Sequence, residues 1–213
     1  AKNDRLATHN WEHFRAAGVT VLNLMSSPGA GKTSLLEQTL HLLESDRSMA
    51  VIVGDLATDN DARRLSGTRA DVVQIETGAL CHLEADLVHR ACHDLHLDAL
   101  DLLLIENVGN LVCPAAYDLG EDLRVVLLST TEGEVKPLKY PTAFAAADWV
   151  VITKIDLAEV LGFDREAAIA HIRRVNPRAR ILEVSSRQGE AGLAPWLTAL
   201  RDLSTVQAGV ESA

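Results

Sequence analysis

The feature that most constrains the fold is the segment S-S-P-G-A-G-K-T, which runs from Ser26 to Thr33. It follows an apolar run at residues 19–25 and precedes a helical pattern, so it joins a strand to a helix. The backbone N–H groups of such a turn, together with the positive end of the helix dipole, bind phosphate groups. Ser26 replaces the glycine that usually begins this pattern, but the inner glycines are kept. The segment therefore predicts a nucleotide-binding P-loop.

Each position of this loop has an expected role. Lys32 is expected to reach the β- and γ-phosphates, and the Thr33 hydroxyl is expected to bind Mg²⁺. The residues predicted to contact the nucleotide here are Ser27, Gly29, Ala30, Gly31, Lys32, Thr33 and Ser34.

Apolar runs alternate with helical patterns along the rest of the chain. Strands are predicted at residues 19–25, 50–54, 72–75, 100–105, 123–128, 149–153 and 180–184. Helices are predicted at residues 3–17, 33–45, 60–66, 83–96, 141–147, 164–175 and 192–203. Continuous apolar strands are typical of a parallel sheet that is covered on both faces. The sequence thus predicts an α/β three-layer sandwich of the P-loop NTPase type, with a mostly parallel central sheet flanked by helices.

Bulk properties narrow the class of protein. The chain has 213 residues and a net charge of −10, which disfavours binding to nucleic acid or to anionic membranes. No apolar run approaches the roughly 20 residues of a membrane span. The cysteines are few and odd in number, unlike a disulfide framework. We expect a cytoplasmic nucleotide-binding domain at 18–204, an N-terminal helix packed on it at 1–17, and a frayed tail at 205–213.

The tetrapeptide T-K-I-D follows a predicted strand and resembles the N-K-x-D signature of GTP-binding proteins, with Thr153 in place of Asn. The Asp156 carboxylate can accept hydrogen bonds from guanine N1–H and the 2-amino group, which adenine lacks. The stem of Lys154 is expected to lie over the base. Ser185 and Ser186 follow the last predicted strand, where a second loop that contacts the base is expected. The alternative is an ordinary Lys–Asp surface turn.

Two carboxylates end apolar strands near the P-loop. Asp55 follows V-I-V-G and Glu106 follows L-L-L-I, so both are predicted to hold Mg²⁺ with Thr33. Asp61 is a weaker candidate. Glu106 begins the string E-N-V-G, at the position where many GTPases have D-x-x-G. This difference indicates a branch of the P-loop GTPases that uses a different switch segment. We predict that Lys32 and these two carboxylates form the catalytic set.

No residue of the sequence is an obvious catalytic base, and phosphoryl transfer to water depends mainly on positioning and charge neutralisation. Slow intrinsic hydrolysis is therefore expected. Lys136 and Lys139, in E-G-E-V-K-P-L-K-Y-P, are candidates to add positive charge, within one subunit or across a subunit interface. The alternative is that they belong to a solvated loop.

Thiol and imidazole groups follow two of the predicted strands. Cys81 and His82 are adjacent, and Cys113 lies in the long segment after Glu106. Such ligands suit borderline metals such as Zn²⁺ and Ni²⁺. One chain supplies few ligands, so a complete site could need two subunits about a two-fold axis. By spacing alone, each cysteine is more simply a buried small apolar residue.

Further histidines follow on the predicted helix 83–96. His89, His93 and His96 are spaced i, i+4, i+7, so they could share a face with His82 as an auxiliary metal patch. A solvated or interface stripe is the simpler interpretation. Outside this helix the sequence gives no functional signal for the remaining histidines, which are His9, His13, His41 and His171.

Five strings of the chain closely resemble the HypB family, GTPases of the SIMIBI class. They are N-L-M-S-S-P-G-A-G-K-T, G-D-L-A-T-D-N-D-A-R, T-G-A-L-C-H-L-E-A, I-E-N-V-G-N-L-V-C-P-A-A-Y-D-L-G-E and E-G-E-V-K-P-L-K-Y-P. The resemblance implies a GTP-dependent homodimer that passes Ni²⁺ to [NiFe]-hydrogenase, with Zn²⁺ as a competing ion. It also implies that Cys81, His82 and Cys113 form an interface metal site. The implied partners are the nickel co-chaperone HypA and the precursor of the hydrogenase large subunit.

Other functions remain possible from the sequence. The urease-maturation GTPases are near relatives, but their Cys-Pro-His motif is replaced here by Cys113, Pro114 and Ala115. A P-loop ATPase or small-molecule kinase would use the same phosphate loop without guanine selectivity. A nickel store without hydrolytic activity would use the thiols alone.

Overall fold

A computed structural model of the chain describes residues 2–55, 60–78 and 80–210, with Asp55, Asn60 and residues 204–210 described by their backbone only. Its centre is a seven-stranded sheet in the order β3-β2-β4-β1-β5-β6-β7, and every adjacent pair is parallel. The strands are β1 (Thr20–Ser26), β2 (Met49–Asp55), β3 (Asp71–Glu76), β4 (Leu102–Gly109), β5 (Leu123–Ser129), β6 (Trp149–Thr153) and β7 (Arg180–Glu183).

Helices cover both faces of this sheet. They are α1 (Lys2–Ala17), α2 (Lys32–Leu43), α3 (Asn60–Leu65), α4 (Ala85–Ala91), α5 (Lys136–Lys139), α6 (Pro141–Ala145), α7 (Ala158–Leu161), α8 (Arg165–Val175) and α9 (Gly189–Val210). None of them, within the described residues, is both long enough and apolar enough to cross a bilayer.

The core is divided by the sheet because successive side chains of a strand point to opposite faces. Leu22 and Leu24 of β1 pack on one side with α2 and with Trp196 of α9. Val21 lies on the other side, in a cluster with Phe14 of α1 and with residues of α4. These two layers of side chains confirm the predicted α/β three-layer fold.

Helix α1 is held against α4 by buried polar contacts. The Asn10 amide donates to the backbone oxygens of Ala85 and Leu119, at 2.9 and 3.0 Å, and Asn10 is fully buried. Gly120 has φ +90°, and a Cβ atom there would lie 2.5 Å from the Ala7 oxygen. A side chain at this position would therefore push α1 away from the domain.

Every predicted strand is present, and β4 runs four residues further than predicted, to Gly109. The predicted helix 83–96 is wrong beyond Ala91. There α4 gives way to a single 3₁₀ turn at Cys92–Asp94, because the chain then extends to bury Leu95 and Leu97. The predicted common helical face of His89, His93 and His96 is therefore wrong as well. Helix α5 was not predicted.

Candidate functional site

The P-loop lies between β1 and α2, at the carboxyl edge of the sheet. Gly31 has φ +98° and precedes the first turn of α2, so the loop enters the helix through a left-handed residue. The Lys32 ammonium donates to the Ser26 hydroxyl at 2.9 Å, and this hydroxyl donates to the Ser27 oxygen at 2.7 Å. The serine that departs from the usual pattern thus has a contact that glycine could not make.

A cleft of about 470 Å³ opens above this loop. Its walls are the P-loop, the end of β4, Asp61, Arg64 and Lys154. Gly109, the last residue of β4, allows close approach, because a Cβ atom there would lie 3.1 Å from Pro28 Cγ and 3.2 Å from Pro28 Cα. Since helix N-termini and glycine turns bind phosphates, this cleft suits a polyphosphate.

Glu106 lies inside the cleft, within β4 rather than after it. The Thr33 hydroxyl donates to Glu106 Oε1 at 2.7 Å, whereas Oε2 is buried without a hydrogen-bond partner among the described residues. Burial raises the pKa of the Glu106 carboxyl to about 7, although the Lys32 charge and the Thr33 hydrogen bond act in the opposite direction. A hydroxyl beside an unpaired carboxylate oxygen fits a hard cation such as Mg²⁺.

The other predicted magnesium ligand is less well defined. Asp55 is the last residue of β2 and pairs in the sheet with Glu76, but its side chain lies outside those described. Its predicted role as a ligand therefore stays a prediction. Asp61, the weaker candidate for a magnesium ligand, lines the cleft.

The T-K-I-D segment is hydrogen-bonded to the P-loop. The Thr153 hydroxyl donates to the Ala30 oxygen at 2.7 Å, and the Lys154 ammonium donates to the Gly29 oxygen at 2.7 Å. Lys154 has φ +57°, an uncommon conformation for a residue with a side chain, and its oxygen accepts a bond from Thr130. The replacement of Asn by Thr therefore keeps this segment attached to the phosphate loop.

A second pocket, of about 270 Å³, adjoins the first at Gly31, Ser34 and Lys154. Asp156, Ser185 and Ser186 line it, as the sequence predicts for a base pocket. The Ser185 hydroxyl is buried and has no hydrogen-bond partner among the described residues. A carboxylate and an unpaired hydroxyl can read the polar edge of a nucleobase.

The structure brings the thiols and the imidazole together. The ligand atoms of Cys81, His82 and Cys113 all lie within 4.8 Å of one another. The two sulfur atoms are 2.8 Å apart, and the hydrogen bond from the Cys81 thiol raises the pKa of Cys113. His82 stacks on Tyr117, and its buried Nε2 has no hydrogen-bond partner among the described residues, although Glu84 Oε1 lies 3.5 Å away. This set of two sulfurs and one nitrogen fits a borderline metal ion.

The stretch of chain from Glu106 to Cys113 joins the two candidate sites. At one end of this stretch, Glu106 contacts Thr33 of the P-loop. Further along it, the Asn110 amide donates to the Cys81 backbone oxygen at 3.3 Å. Asn107 Oδ1 accepts from the backbone N–H of Leu83 at 3.2 Å, next to His82. Glu106 and Asn107 are consecutive residues of β4 and both line the phosphate cleft, and Asn107 also holds the backbone of Leu83 beside the thiol site.

Sequence reasoning did not identify two residues at these sites, Asn107 and Arg64, and it left the role of Lys136 open. Asn107 carried no signal of its own. Arg64 lines the phosphate cleft and pairs with Glu37 at 2.6 Å. Lys136 donates to the Ser27 hydroxyl at 2.7 Å, so its positive charge reaches the P-loop of its own chain. Lys139, considered with it, is exposed.

The chain is similar to known proteins over most of its length. A family model described as "CobW/HypB/UreG, nucleotide-binding domain" matches residues 20–183. A hydrogenase maturation factor HypB from Azotobacter chroococcum is 54% identical over 198 residues, which are 92% of this chain. The chain covers 64% of the length of that relative.

Solved structures agree with this likeness. The crystal structure of hydrogenase maturation factor HypB from Archaeoglobus fulgidus has a TM-score of 0.88 and 39% identity, covering 95% of this chain and 98% of that one. The crystal structure of HypB from Helicobacter pylori in complex with nickel has a TM-score of 0.87 and 40% identity, covering 98% and 94%.

Proposed function

Because the chain belongs to the CobW/HypB/UreG family, and within it to the HypB hydrogenase maturation factors, we propose that it is a GTP-hydrolysing nickel chaperone. It binds Ni²⁺ and assists its insertion into the large subunit of [NiFe]-hydrogenase. The observation that carries this proposal is the convergence of Cys81, His82 and Cys113 beside a P-loop cleft, on a shared stretch of chain.

Hydrolysis of GTP depends on positioning in the cleft. The P-loop N–H groups and Lys32 hold the phosphates, while Thr33 and Glu106 hold Mg²⁺, which neutralises charge on the triphosphate. Lys136 adds a second cation beside Ser27. We expect slow turnover because Glu106 is engaged with Thr33 rather than available to activate water.

Guanine selectivity is assigned to the adjoining pocket. Asp156 accepts hydrogen bonds from guanine N1–H and the 2-amino group, and adenine would leave this carboxylate unpaired. Ser185 and Ser186 contact the base from the opposite loop, and Lys154 covers its face. The hydrogen bonds from Thr153 and Lys154 to the P-loop support this assignment, since they tie the base pocket to the phosphate cleft.

Nickel is bound as cargo by the two thiols and His82, and Zn²⁺ competes for the same ligands. Three ligands leave a coordination position open, which a second subunit can fill. Exposed apolar side chains flank the thiols, with Leu80 41% and Val112 64% exposed. Such residues favour a homodimer interface at this place. HypA and the hydrogenase precursor are the expected partners in the cytoplasm.

Two measurements test the proposal. Replacing Asp156 by Asn should abolish the preference for GTP over ATP in a competition assay with a fluorescent nucleotide. If that preference persists in the variant, the assignment of guanine to this pocket is wrong, and a P-loop ATPase becomes the better interpretation. Phosphate release from GTP that disappears in Lys32→Ala distinguishes an enzyme from a nickel store.

Nickel binding is tested with a matched pair of cysteine variants. Cys113→Ser should lose nickel at the thiol site, whereas Cys92→Ser should keep it, because Cys92 is buried in the core with α1 and α4. Equal nickel binding by both variants would exclude the thiol site. A urease-type function is disfavoured because Ala115 replaces the histidine of the Cys-Pro-His motif.

A further inference from the structure

A second group of imidazoles lies where α1 packs on α4, away from the thiols. The ring of His9 on α1 is 5.1 Å from the ring of His89 on α4, measured between centroids. His89 is in turn 5.0 Å from His93, in the 3₁₀ turn that follows. His13 follows His9 by one helical turn, on the same face of α1. Two His-x₃-His pairs thus meet across a helix–helix contact.

The ring separations are compatible with metal-bound histidines, although the ring nitrogens are not yet gathered: among the described residues, the group of ligand atoms within 4.8 Å of one another is that of Cys81, His82 and Cys113. With metal–nitrogen bonds of about 2.0–2.1 Å in a tetrahedral site, the ring centroids of two ligands lie about 5 Å apart. The two measured separations agree with this value.

The central ring of the group is prepared to act as a ligand. His89 Nδ1 is buried and has no hydrogen-bond partner among the described residues. Burial, followed by the neighbouring imidazoles of His9, His93 and His13, lowers the pKa of His89, although Asp86 acts in the opposite direction. A neutral ring with an unpaired nitrogen is the form of histidine that binds metal.

The surrounding structure holds the two pairs in place. Asn10, one residue after His9, donates to the Ala85 oxygen at the start of α4. The Ala85 N–H donates to Asn3 Oδ1 at 3.0 Å, also from α1. The two helices are therefore fixed to each other beside the histidines, and the exposed rings of His9 and His93 must turn for their nitrogens to converge on one ion.

We propose that His9, His89 and His93, with His13 as the fourth ligand, form a second metal site for a borderline divalent ion such as Ni²⁺ or Zn²⁺. Imidazole nitrogen suits both ions. The site shares no ligand with the thiol site. The histidine of the thiol site, His82, precedes α4, whereas His89 lies within α4, more than one helical turn further along the chain. Metal bound there bridges α1 to α4.

The test uses the full chain with Cys81→Ser and Cys113→Ser, so that nickel at the thiol site does not contribute. Titration calorimetry with Ni²⁺, and separately with Zn²⁺, should detect one ion per chain. Loss of a group that only orients a metal ligand lowers metal affinity by about 10–100-fold. Removal of a ligand itself, by His9→Gln or His89→Gln, should therefore lower the affinity for the ion by at least about tenfold. His9 is exposed, so its replacement leaves the core intact.

The matched control is His96→Gln in the same Cys81→Ser, Cys113→Ser chain. His96 is exposed on the segment after α4 and lines a different pocket, with Leu40 and Ser48, so its loss should leave the affinity unchanged. Nitrogen NMR of the imidazoles gives an independent readout, because Zn²⁺ should shift the ring signals of His9 and His89 but not of His96. Absence of binding in the double cysteine variant, or equal loss in the control, would overturn the proposal. Either result would leave the thiol site and its own test unaffected.

Discussion

Asn107 connects the phosphate cleft to the thiol site, and its replacement by alanine tests whether the two sites communicate. The residue is 1% exposed. Its Oδ1 accepts from the N–H groups of Leu83 and Val108, at 3.2 and 3.0 Å, and its amide donates to Asn23 Oδ1 at 3.2 Å. Asn107→Ala removes these three hydrogen bonds while leaving Glu106, its neighbour in the cleft, unchanged.

The size of the effect follows from the buried partners that lose their bonds. A buried donor or acceptor left unpaired costs about 1–3 kcal/mol, so the Leu83 N–H, the Val108 N–H and the Asn23 oxygen together cost about 3–9 kcal/mol of unfolding free energy. Binding sites that communicate are typically coupled by about 1–3 kcal/mol, which corresponds to a 5–150-fold change in affinity. We expect Asn107→Ala to remove most of this coupling, because the segment beside His82 then moves independently of β4.

The assay is nickel affinity measured twice for each protein, once with GDP and once with a non-hydrolysable GTP analogue. The native chain should give different affinities, and Asn107→Ala should give nearly equal ones. Asn176→Ala is the control, since the Asn176 amide donates to the backbone oxygens of Phe144 and Ala147 at the opposite edge of the sheet. It should lower stability to urea but keep the native affinity ratio. A ratio in Asn107→Ala equal to the native ratio would refute this reasoning.

Three other outcomes can be measured directly. Burial raises the pKa of Cys92 to about 12. At neutral pH, iodoacetamide should therefore modify Cys81 and Cys113, and should reach Cys92 only after unfolding. Equal rates of modification at all three cysteines would contradict the burial of Cys92. Stoichiometric diamide should join the two neighbouring thiols in a disulfide and abolish nickel binding at that site until dithiothreitol restores it. In Gly109→Ala, the new Cβ atom presses on Pro28 of the P-loop. Because overpacking costs about 1–3 kcal/mol, the affinity for GDP, measured with a fluorescent analogue, should fall about 5–150-fold.

Much of the fold could be predicted because its signals are local. The apolar runs L-L-L-I of β4 and V-V-L-L of β5 are continuous, since helices cover the sheet on both faces, and this pattern indicates a parallel sheet. The P-loop is a single contiguous motif, so its turn and helix were predicted together. The error at residues 92–96 arose because burial of Leu95 and Leu97 ended the helix, which periodicity alone did not reveal.

Parts of the candidate site depend on contacts between distant segments, and these could not be predicted. His9 meets His89 only because Asn10 and Gly120 fix the position of α1 on the domain. Lys136 reaches Ser27 through the placement of a short helix that has no clear sequence signal. In contrast, Cys81 and Cys113 both follow strands of one parallel sheet, so their approach could be predicted from the carboxyl ends of those strands.

The hydrogen bonds from Thr153 and Lys154 to the P-loop oxygens have a consequence for nucleotide exchange. If the chain binds GTP as proposed, these bonds hold the segment that would read the base against the loop that would hold the inner phosphates, in the GDP and GTP states alike. The difference between the two nucleotides would then be sensed at the other wall of the cleft. That wall is the end of β4, which leads into the stretch of chain that carries Cys113.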